Sequence, residues 1–325
     1  MNRKISMSVG AMSLVFMVTA EAFAQSTFPS KSITMLVGFA PGGGTDTAAR
    51  IIAKRIAGPL GQPVVVENNA GAGGNIAHEM LAKSNPDGHM ILLGSVGSLA
   101  VAPHMIPNLP YNPLRDFTPL TMAVTFPNVL VVHPSVPAKT LGEFIKLAAV
   151  KKGAVTFGSS GIGGAGHLAG ELLGLMANVQ MIHVPYKGGA PAMTDLVGGQ
   201  INSIFAAPPS AMPFIKAGKV RALATTGAAR ALTMPDVVTV AESGYPGYEA
   251  LNWYCYLAPA KLPREIAQRW NRELVAALSE KETAAQLLSH GMEPGPGSGE
   301  ALQKYIEREY AVWGKVVKTA GITAN

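Results

Sequence analysis

The stretch ITMLVGFAPGGGTDTAARIIAKRIAGPLG, residues 33–61, has the pattern of a strand, a glycine-rich loop and a helix. Its first seven residues (33–39) form an apolar run of the length expected for a buried strand. The loop APGGGTD follows, and apolar residues such as Ile52 and Ile56 then recur at helical spacing until Gly58-Pro59, where the helix is predicted to end. The stretch therefore predicts a β–α unit with glycines at the carboxyl end of its strand.

The pattern continues on the carboxyl-terminal side of this stretch. PVVVEN (63–68) and MILLGS (90–95) have the composition of two further strands. Between them lie the glycine loop NAGAGG and the run IAHEMLAKS, which Asn75 is predicted to cap as a helix. A βαβαβ order of this kind predicts a parallel sheet covered by helices.

A second unit of the same kind is predicted after Pro127. NVLVVHP is strand-like, and Thr140 and Glu143 form a capping box at the start of a helix. A second glycine loop, GSSGIGGAGHLAGE (158–171), again turns a strand into a helix, and strands and helices alternate from there to VRALATTG. The sequence therefore predicts two α/β units in tandem, each with a glycine loop at the carboxyl end of a strand.

The tail differs from both units because it holds a strand-like segment, LNWYCYLAPA, and two long amphipathic helices. These helices have no sheet of their own, so they are expected to pack onto a lobe. If they return to the first lobe, the chain crosses between the lobes at least twice, which is hinge architecture. The predicted division is a first lobe of residues 25–125 plus 250–325 and a second lobe of residues 126–249.

Residues 1–24 are predicted to be a cleavable signal peptide. A short basic start, MNRK, precedes an apolar run and then the small-residue pattern Ala22-x-Ala24. A membrane anchor is the alternative, but the run is shorter than the roughly 20 residues that span a bilayer. The protein is therefore expected to be exported.

The composition excludes several classes of protein. With 48% hydrophobic and 14% charged residues the chain can bury a core. The formal net charge of +6 comes without a Lys/Arg-rich run, so no nucleic-acid partner is expected. Cys255 is the only cysteine; it excludes an internal disulfide and is expected to be a small buried hydrophobe.

The glycine loops predict a site for an anion. Glycines at a strand–helix junction let a ligand approach the backbone, and the free N–H groups of the helix start favour negative charge. This suits a phosphate or a carboxylate. Gly161, Gly163 and Gly166 form a literal G-x-G-x-x-G, but the next strand ends in Pro185-Tyr186-Lys187 instead of the acid that a dinucleotide site needs.

Patterns for enzymes and metal sites are missing from the sequence. There is no G-x-S-x-G elbow, no H-x-x-x-H spacing and no second cysteine. No catalytic residue, metal or cofactor is therefore expected. The helix starts near Gly44 and Gly164 are instead expected to face one cleft, where a ligand with an acidic group at each end would bridge the lobes.

Two polar side chains beside the loops have two interpretations each. His167 could contact a ligand, but it is more often a residue that caps or packs at a helix start. Asp46 could orient the first loop or accept a hydrogen bond from a ligand, but it is more often a residue that satisfies the helix N-terminus.

The motifs LVGFAPGGGTDTAAR, FGSSGIGGAGHLAGELL and IHVPYKGGAPAMTDLVGGQ resemble the Bug-type extracytoplasmic solute receptors of tripartite tricarboxylate transporters. The resemblance runs from Phe28 to the C-terminus. It implies a two-lobed Venus-flytrap fold of the periplasmic-binding-protein type (type II-like) with two crossing strands and no cofactor. It also implies a location in the bacterial periplasm and a monomer that binds a small carboxylate and meets integral membrane transporter subunits transiently.

The resemblance also implies which residues bind the ligand, mainly through backbone amides and ordered waters. Lys187 could contact the ligand, or it could be a solvated lysine at a strand end. Tyr186 is expected to line the cleft. The implied ligand-binding residues, with His167 added as the candidate above, are Pro41, Gly42, Gly43, Gly44, Thr45, Asp46, Ser95, Ser98, Ser160, Gly161, Ile162, Gly163, Gly164, Tyr186, Lys187 and Gly188.

The chain departs from the family pattern at two places. Many relatives carry Asp-Asn where this chain has Ala206-Ala207, which disfavours an amino-acid ligand and favours a simple or aromatic dicarboxylate. Cys255 stands where a glycine is common.

The sequence as a whole predicts a receptor for a small organic acid, with a dicarboxylate favoured. Two alternatives remain at this point. The same lobes could pass a ligand signal to a membrane kinase, or the protein could be an exported enzyme acting on small acids. The missing nucleophile–base and metal patterns disfavour the enzyme.

Overall fold

The computed structural model describes residues 28–150 and 153–322. The predicted signal peptide lies outside these residues. The strands are β1 (Ile33–Val37), β2 (Val64–Asn68), β3 (Met90–Ser95), β4 (Phe117–Pro127), β5 (Val129–Val132), β6 (Thr156–Ser159), β7 (Ile182–Pro185), β8 (Ser203–Ala206), β9 (Arg221–Thr225), β10 (Leu251–Pro259) and β11 (Glu293–Pro294).

Helices connect the strands and cover the faces of the sheets. A 3₁₀ turn at Ala72–Gly74 and a π-type turn at Gly97–Val101 precede the second and third helices. The helices are α1 (Gly44–Leu60), α2 (Asn75–Ala82), α3 (Ala102–Met105), α4 (Leu141–Val150), α5 (Ala165–Ala177), α6 (Gly189–Val197), α7 (Pro208–Lys216), α8 (Arg264–Ser279), α9 (Lys281–Ser289) and α10 (Gly299–Ala320).

The first sheet has the strand order β11-β4-β10-β3-β1-β2. Strands β1, β2 and β3 are parallel, as the βαβαβ pattern predicts. Strand β10 is antiparallel to both β3 and β4, and β11 adds a short antiparallel edge. We call this sheet and the helices packed on it the first lobe.

The second sheet has the order β7-β6-β8-β5-β9 and forms, with its helices, the second lobe. Strand β6 is parallel to β7 and β8, whereas β5 is antiparallel to β8 and β9. In both lobes the parallel strands end at the same edge of the sheet, and the glycine loops follow those ends.

The chain passes between the two sheets where β4 meets β5 and again before β10. Asn128 is the only residue between β4 and β5. Its N–H donates to Thr226 Oγ1 at 2.8 Å, and its carbonyl accepts from the Thr226 N–H at 2.9 Å. Thr226 Oγ1 also donates to the Ala250 carbonyl at 2.7 Å, so one threonine ties the two crossing segments together.

The tail helices return to the first lobe. Helix α8 packs against α1 and β4, and α10 packs against β4 and the turn at Gly97–Val101. Trp270 on α8 is buried and donates its indole N–H to the Gly88 carbonyl at 3.1 Å. The α/β architecture with two crossing strands that the sequence predicts is confirmed.

Some boundaries differ from the prediction. Asn75 does not cap α2 from outside; it is the first helical residue, and Gly74 takes the cap position. Helix α1 does not end at Gly58-Pro59 but continues to Leu60, because a proline in the last turn removes only one hydrogen bond. The helix then ends at Gly61 with a φ of 68°.

Cys255 lies in the middle of β10, between Gly94 on β3 and Met122 on β4. It is fully buried, and burial raises the pKa of its thiol. It is therefore a packed, neutral side chain, as the sequence suggested. None of the helices within the described residues is long and apolar enough to cross a membrane.

Candidate functional site

A cavity lies between the lobes, at the carboxyl ends of the parallel strands. The space left open in it measures about 30 Å³. Its lining residues are Phe39, Gly43, Gly44, Thr45, Ser95, Val96, Gly97, Asn128, Ser160, Gly164, Ala165, Gly166, Gly189, Ile204, Phe205, Ala206, Ala207, Ser210, Asn252 and Tyr254.

The first lobe contributes the start of α1. Gly43 is the N-cap residue and has no side-chain oxygen, so it makes no side-chain hydrogen bond to the helix. The Thr47 N–H donates to the Gly43 carbonyl, which leaves the N–H groups of the preceding turn without an intrahelical acceptor. Gly43, Gly44 and Thr45 carry these backbone groups to the cavity wall.

Asp46 holds this loop in shape and does not line the cavity. Its carboxylate accepts from the Gly42 N–H at 3.0 Å, from Arg50 Nε at 2.9 Å and from Asn68 Nδ2 at 3.1 Å. Burial opposes ionisation of this carboxyl, but the hydrogen bonds from these three partners outweigh it and lower its pKa. Asp46 is thus a loop-orienting anion, one of the two roles considered for it.

The second lobe contributes the start of α5 in the same way. Gly164 is the N-cap residue, again without a side-chain cap, and its N–H turns back to the Gly161 carbonyl. Gly164, Ala165 and Gly166 line the cavity opposite the first lobe's loop. The two helix starts therefore reach one cavity from opposite lobes.

A pair of stacked histidines supports the second loop from behind. His167 Nδ1 accepts from the Gly163 N–H at 3.1 Å, and its ring lies 3.9 Å from that of His183. His183 Nε2 is 2.6 Å from Ser159 Oγ, which also accepts from the Gly161 N–H. Burial lowers the pKa of His167 to about 4 and, with help from His167, that of His183 to about 3. Both rings are thus neutral at neutral pH.

Two more helices of the second lobe begin at the cavity. Helix α6 starts at Gly189, which lines it. Helix α7 starts with Pro208 and Pro209, which have no N–H groups, and offers instead the hydroxyl of Ser210. Ser210 Oγ lies 2.8 Å from the position that a Cβ would take on Gly189. The α6 start and the Ser210 hydroxyl are therefore neighbours.

The cavity is polar without being charged. None of its twenty lining residues is Lys, Arg, His, Asp or Glu. Among the residues that the structure describes, three lining side chains bury a polar atom that has no hydrogen-bond partner: Ser95 Oγ, Asn128 Nδ2 and Ser210 Oγ. Because a buried donor without an acceptor is costly, these three groups suit a ligand rich in oxygen, which would supply the acceptors.

The two lobes touch around the cavity. The Ala40 N–H of the first lobe donates to the Lys187 carbonyl of the second at 2.9 Å. A Cβ on Gly73 would lie 2.3 Å from the Ile162 carbonyl oxygen, and one on Gly97 would lie 2.8 Å from that of Gly163. The structure is thus the closed form, and glycines allow the backbones to meet.

The sequence-predicted residues fall into two groups. Six of them line the cavity: Gly43, Gly44, Thr45, Ser95, Ser160 and Gly164. The structure places the other eleven around the cavity instead of in its wall: Pro41, Gly42, Asp46, Ser98, Gly161, Ile162, Gly163, His167, Tyr186, Lys187 and Gly188.

Several of the eleven have other partners. Tyr186 donates its hydroxyl to Asp195 Oδ2 at 2.7 Å, and Ser98 donates to the Gly73 carbonyl at 3.3 Å. The Lys187 side chain is exposed, while its carbonyl makes the contact between lobes. Gly161, with a φ of 137°, approaches Gly73 closely.

Sequence reasoning missed part of the wall. Asn128 lies between β4 and β5, and Asn252 and Tyr254 come from β10. The Tyr254 hydroxyl lies 2.8 Å from the place of a Cβ on Gly44. Burial raises the pKa of Tyr254, so its hydroxyl stays protonated. The one available signal was an asparagine directly after Pro127, where the second unit begins. Ala206 and Ala207, singled out as departures from the family pattern, also line the cavity.

No three His, Cys, Asp or Glu side chains within residues 28–150 and 153–322 lie close enough together to hold a metal ion.

Comparison with known proteins agrees with this geometry. The model of the family described as "Tripartite tricarboxylate transporter family receptor" matches residues 48–322. The protein BugT of Bordetella pertussis is 35% identical to this chain over 311 residues, which are 94% of this chain and 95% of BugT.

Two solved structures of Rhodopseudomonas palustris proteins are similar in fold and in sequence. Rpa4515 with adipate has a TM-score of 0.87 and 37% identity, over 91% of this chain and 99% of that one. MatC with bound malate has a TM-score of 0.86 and 32% identity, over 89% of this chain and 100% of that one. The two-lobed binding-protein fold predicted from the sequence is confirmed by these matches.

The family match covers most of the chain and includes the start of α5 and the crossing segments that form the cavity. The chain therefore belongs to the receptor family of the tripartite tricarboxylate transporters, as its Bug-type motifs predicted.

Proposed function

We propose that this protein captures a small dicarboxylate between its lobes and delivers it to the membrane subunits of a tripartite tricarboxylate-type transporter. The observation that carries the proposal is the pair of uncapped helix starts, α1 and α5, which reach one uncharged cavity from opposite lobes.

The physical basis is the match between two helix starts and two carboxylates. Each helix N-terminus presents free N–H groups and the equivalent of roughly half a positive charge. A carboxylate at each end of the ligand satisfies both starts at once, and the contacts from both lobes then stabilise the closed form. Because the lining has no lysine or arginine, peptide amides and hydroxyls carry the recognition.

The relatives support this ligand class. The similar structures hold adipate in one protein and malate in another, and both ligands carry two carboxylates. The family name supports a membrane transporter as the partner. We also propose that residues 1–24 are removed on export to the periplasm and that the mature protein acts as a monomer. Its lobes would be residues 25–125 plus 250–325 and residues 126–249, a division that the two sheets support.

Isothermal titration calorimetry on the protein purified from the periplasm and freed of bound ligand tests the capture. Succinate is expected to bind one-to-one, and butyrate, in which a methyl group replaces one carboxylate, at least 10-fold more weakly, because losing a charge-assisted contact costs about 1.5–3 kcal/mol. Equal binding of the two acids, or no binding of any dicarboxylate, would overturn the proposal.

A second measurement tests delivery. Cells that lack this gene are expected to lose uptake of the bound dicarboxylate and to regain it with the wild-type gene. Mass spectrometry of the ligand recovered from the protein is expected to show it unchanged, as for a receptor. Unaffected uptake would overturn the delivery step, and conversion of the ligand would support the enzyme alternative.

A further inference from the structure

The three unpaired polar atoms of the cavity do not have equivalent neighbours. Ser95 is the cross-strand partner of Tyr254, whose hydroxyl faces Gly44 at the start of α1. Ser210 lies beside Gly189 at the start of α6. Ser210 thus adds a donor at a helix start, and Ser95 lies across the sheet from the tyrosine that reaches α1. Asn128 belongs to no helix start, since it lies where β4 meets β5.

The Asn128 amide is held in one orientation. Asn252 Nδ2 donates to Asn128 Oδ1 at 3.3 Å, so the oxygen of this lining residue has a partner and the amide nitrogen has none. Both backbone groups of Asn128 pair with Thr226. The side chain is 1% exposed, and its Nδ2, with two N–H donors, has no partner among the described residues.

We propose that the cavity selects a dicarboxylate that carries a hydroxyl group on a carbon between its two carboxylates, and that Asn128 is the residue that reads this hydroxyl. The inference rests on the proposed function, because it assigns the carboxylates to the helix starts. The hydroxyl oxygen accepts from Asn128 Nδ2. A methylene or methyl group at that place leaves the buried amide without an acceptor.

The difference between a ligand that offers Asn128 an acceptor and one that does not predicts how strongly affinity should depend on the hydroxyl group. A buried donor that loses its acceptor loses binding free energy equivalent to about a 10-fold to 100-fold change in affinity. Four-carbon dicarboxylates provide a matched set of probes for this selectivity. Malate, methylsuccinate and succinate share the same chain and differ only by a hydroxyl, a methyl group or a hydrogen on one carbon.

The first test uses calorimetry on the wild-type protein with these three acids. Malate is expected to bind roughly 10-fold to 100-fold more tightly than both others. Methylsuccinate is the shape control, because its methyl group has nearly the size of the hydroxyl. Methylsuccinate or succinate binding as tightly as malate overturns the inference and leaves the proposed function intact. Failure of all three to bind overturns both.

The second test assigns the preference to its residue. Asn128→Ala is expected to bring the malate-to-methylsuccinate affinity ratio close to one. Thr226→Val is the matched control: it removes the hydroxyl that joins the crossing segments, but Thr226 does not line the cavity. This variant is expected to bind all three acids more weakly by the same factor, so that the ratios of their affinities stay unchanged. An unchanged ratio in Asn128→Ala, or a lost ratio in Thr226→Val, overturns the role of Asn128.

Discussion

At Gly44 the cavity wall leaves little space for any side chain. A Cβ at this position would lie 2.8 Å from the Tyr254 hydroxyl and 3.1 Å from the Ala207 Cβ. Both atoms belong to the cavity wall, and Ala207 belongs to the other lobe. Gly44 is therefore packed tightly by Tyr254 of its own lobe and by Ala207 of the other lobe.

Gly44→Ala is expected to weaken succinate or malate binding by about 10-fold or more, because its Cβ must displace the Tyr254 hydroxyl from the cavity wall and crowd Ala207 of the closing lobe, at a cost of more than about 1.4 kcal/mol. Adding Tyr254→Phe to Gly44→Ala is expected to restore part of the affinity, since the nearest atom is then gone. Calorimetry of both variants and of Tyr254→Phe alone measures the effect.

Gly58→Ala is the matched control for Gly44→Ala. It lies on the same helix, and its Cβ would meet no atom within 4 Å. It is expected to bind like wild type and to be slightly more stable, because alanine favours a helix over glycine. Wild-type affinity in Gly44→Ala would contradict the close-contact argument.

His167 predicts a pH dependence of stability. Its pKa is lowered to about 4 in the folded protein, while an unfolded histidine titrates near about 6.5. The unfolded chain therefore binds a proton first, and the free energy of unfolding falls as the pH drops from about 6.5 to about 4. His183 and His78, whose pKa values are also lowered, act in the same direction.

His167→Asn keeps an acceptor for the Gly163 N–H and removes one titrating group. Urea unfolding between pH 7 and pH 4.5 is expected to show a slope against pH that is shallower by up to about 1.4 kcal/mol per pH unit. Loss of stacking on His183 lowers the variant's stability at all these pH values, so the slope is the relevant quantity. Parallel curves for the two proteins would show that His167 does not titrate in this way.

At the scale of the element, most described helices lack a capping side chain, and the four that open onto the cavity are among them. Helix α10 is capped by Ser298, and Thr140 Oγ1 accepts from the Glu143 N–H at the start of α4. Helices α1, α5, α6 and α7 have no side-chain cap. The lack of capping side chains keeps the N–H groups of α1 and α5 available to a ligand.

Gly164→Ser is expected to increase the stability of the protein and to lower its affinity for the ligand. The backbone of Gly164 is extended (φ −71°, ψ 161°), which suits a capping serine. The serine hydroxyl would accept a hydrogen bond from an N–H group of the first turn of α5 and would compete with the ligand for that group. Compared with Gly164→Ala, which shares the same crowded Cβ, we expect about 1 kcal/mol more unfolding free energy and roughly 10-fold weaker ligand binding.

Chemical denaturation and calorimetry on this pair of variants give the two quantities. The alanine variant isolates the hydroxyl, because the Cβ contacts with Gly161 and Ser160 are the same in both. If the serine variant binds the ligand as well as the alanine variant does, the N–H groups of α5 do not hold it.

The elements themselves were predicted unevenly. Strands bounded by glycine loops, such as β1 and β3, were predicted within two residues of their observed bounds. Strand β4 was missed because Pro119 and Pro127 interrupt its sequence, and prolines usually mark the end of a strand. Its pairing with β10 along its whole length maintains it, a long-range effect that no local pattern carries.

At the scale of the whole molecule, the site forms where residues from separate elements of both lobes come together. The two glycine loops could be predicted because a β–α junction consists of consecutive residues, so its pattern is visible in the sequence. Asn128, Ser210 and Tyr254 could not, because they come from separate elements and reach the cavity only after both sheets and their crossings have formed.

Closure of the lobes depends on backbone contact at Gly97. A Cβ there would lie 2.8 Å from the Gly163 oxygen and 3.0 Å from the Gly164 Cα, and neither atom can turn away. Gly97→Ala is therefore expected to act as a wedge that weakens ligand binding by about 10-fold or more. Small-angle X-ray scattering is expected to show a ligand-induced decrease in radius of gyration for wild type and a smaller one for the variant.

Gly297→Ala provides the comparison, since its Cβ would meet no atom within 4 Å in the first lobe. This variant is expected to contract on ligand addition as wild type does. A Gly97→Ala protein that contracts and binds like wild type would mean that the contact at Gly97 does not limit closure.

The buried position of Cys255 has a practical consequence for optical work. A thiol with no exposure and a raised pKa does not react with maleimide dyes in the folded protein. A cysteine introduced at exposed Lys187, beside the hydrogen bond that joins the lobes, would therefore be labelled alone. The natural chain needs no other change to become a single-fluorophore reporter of metabolite concentration.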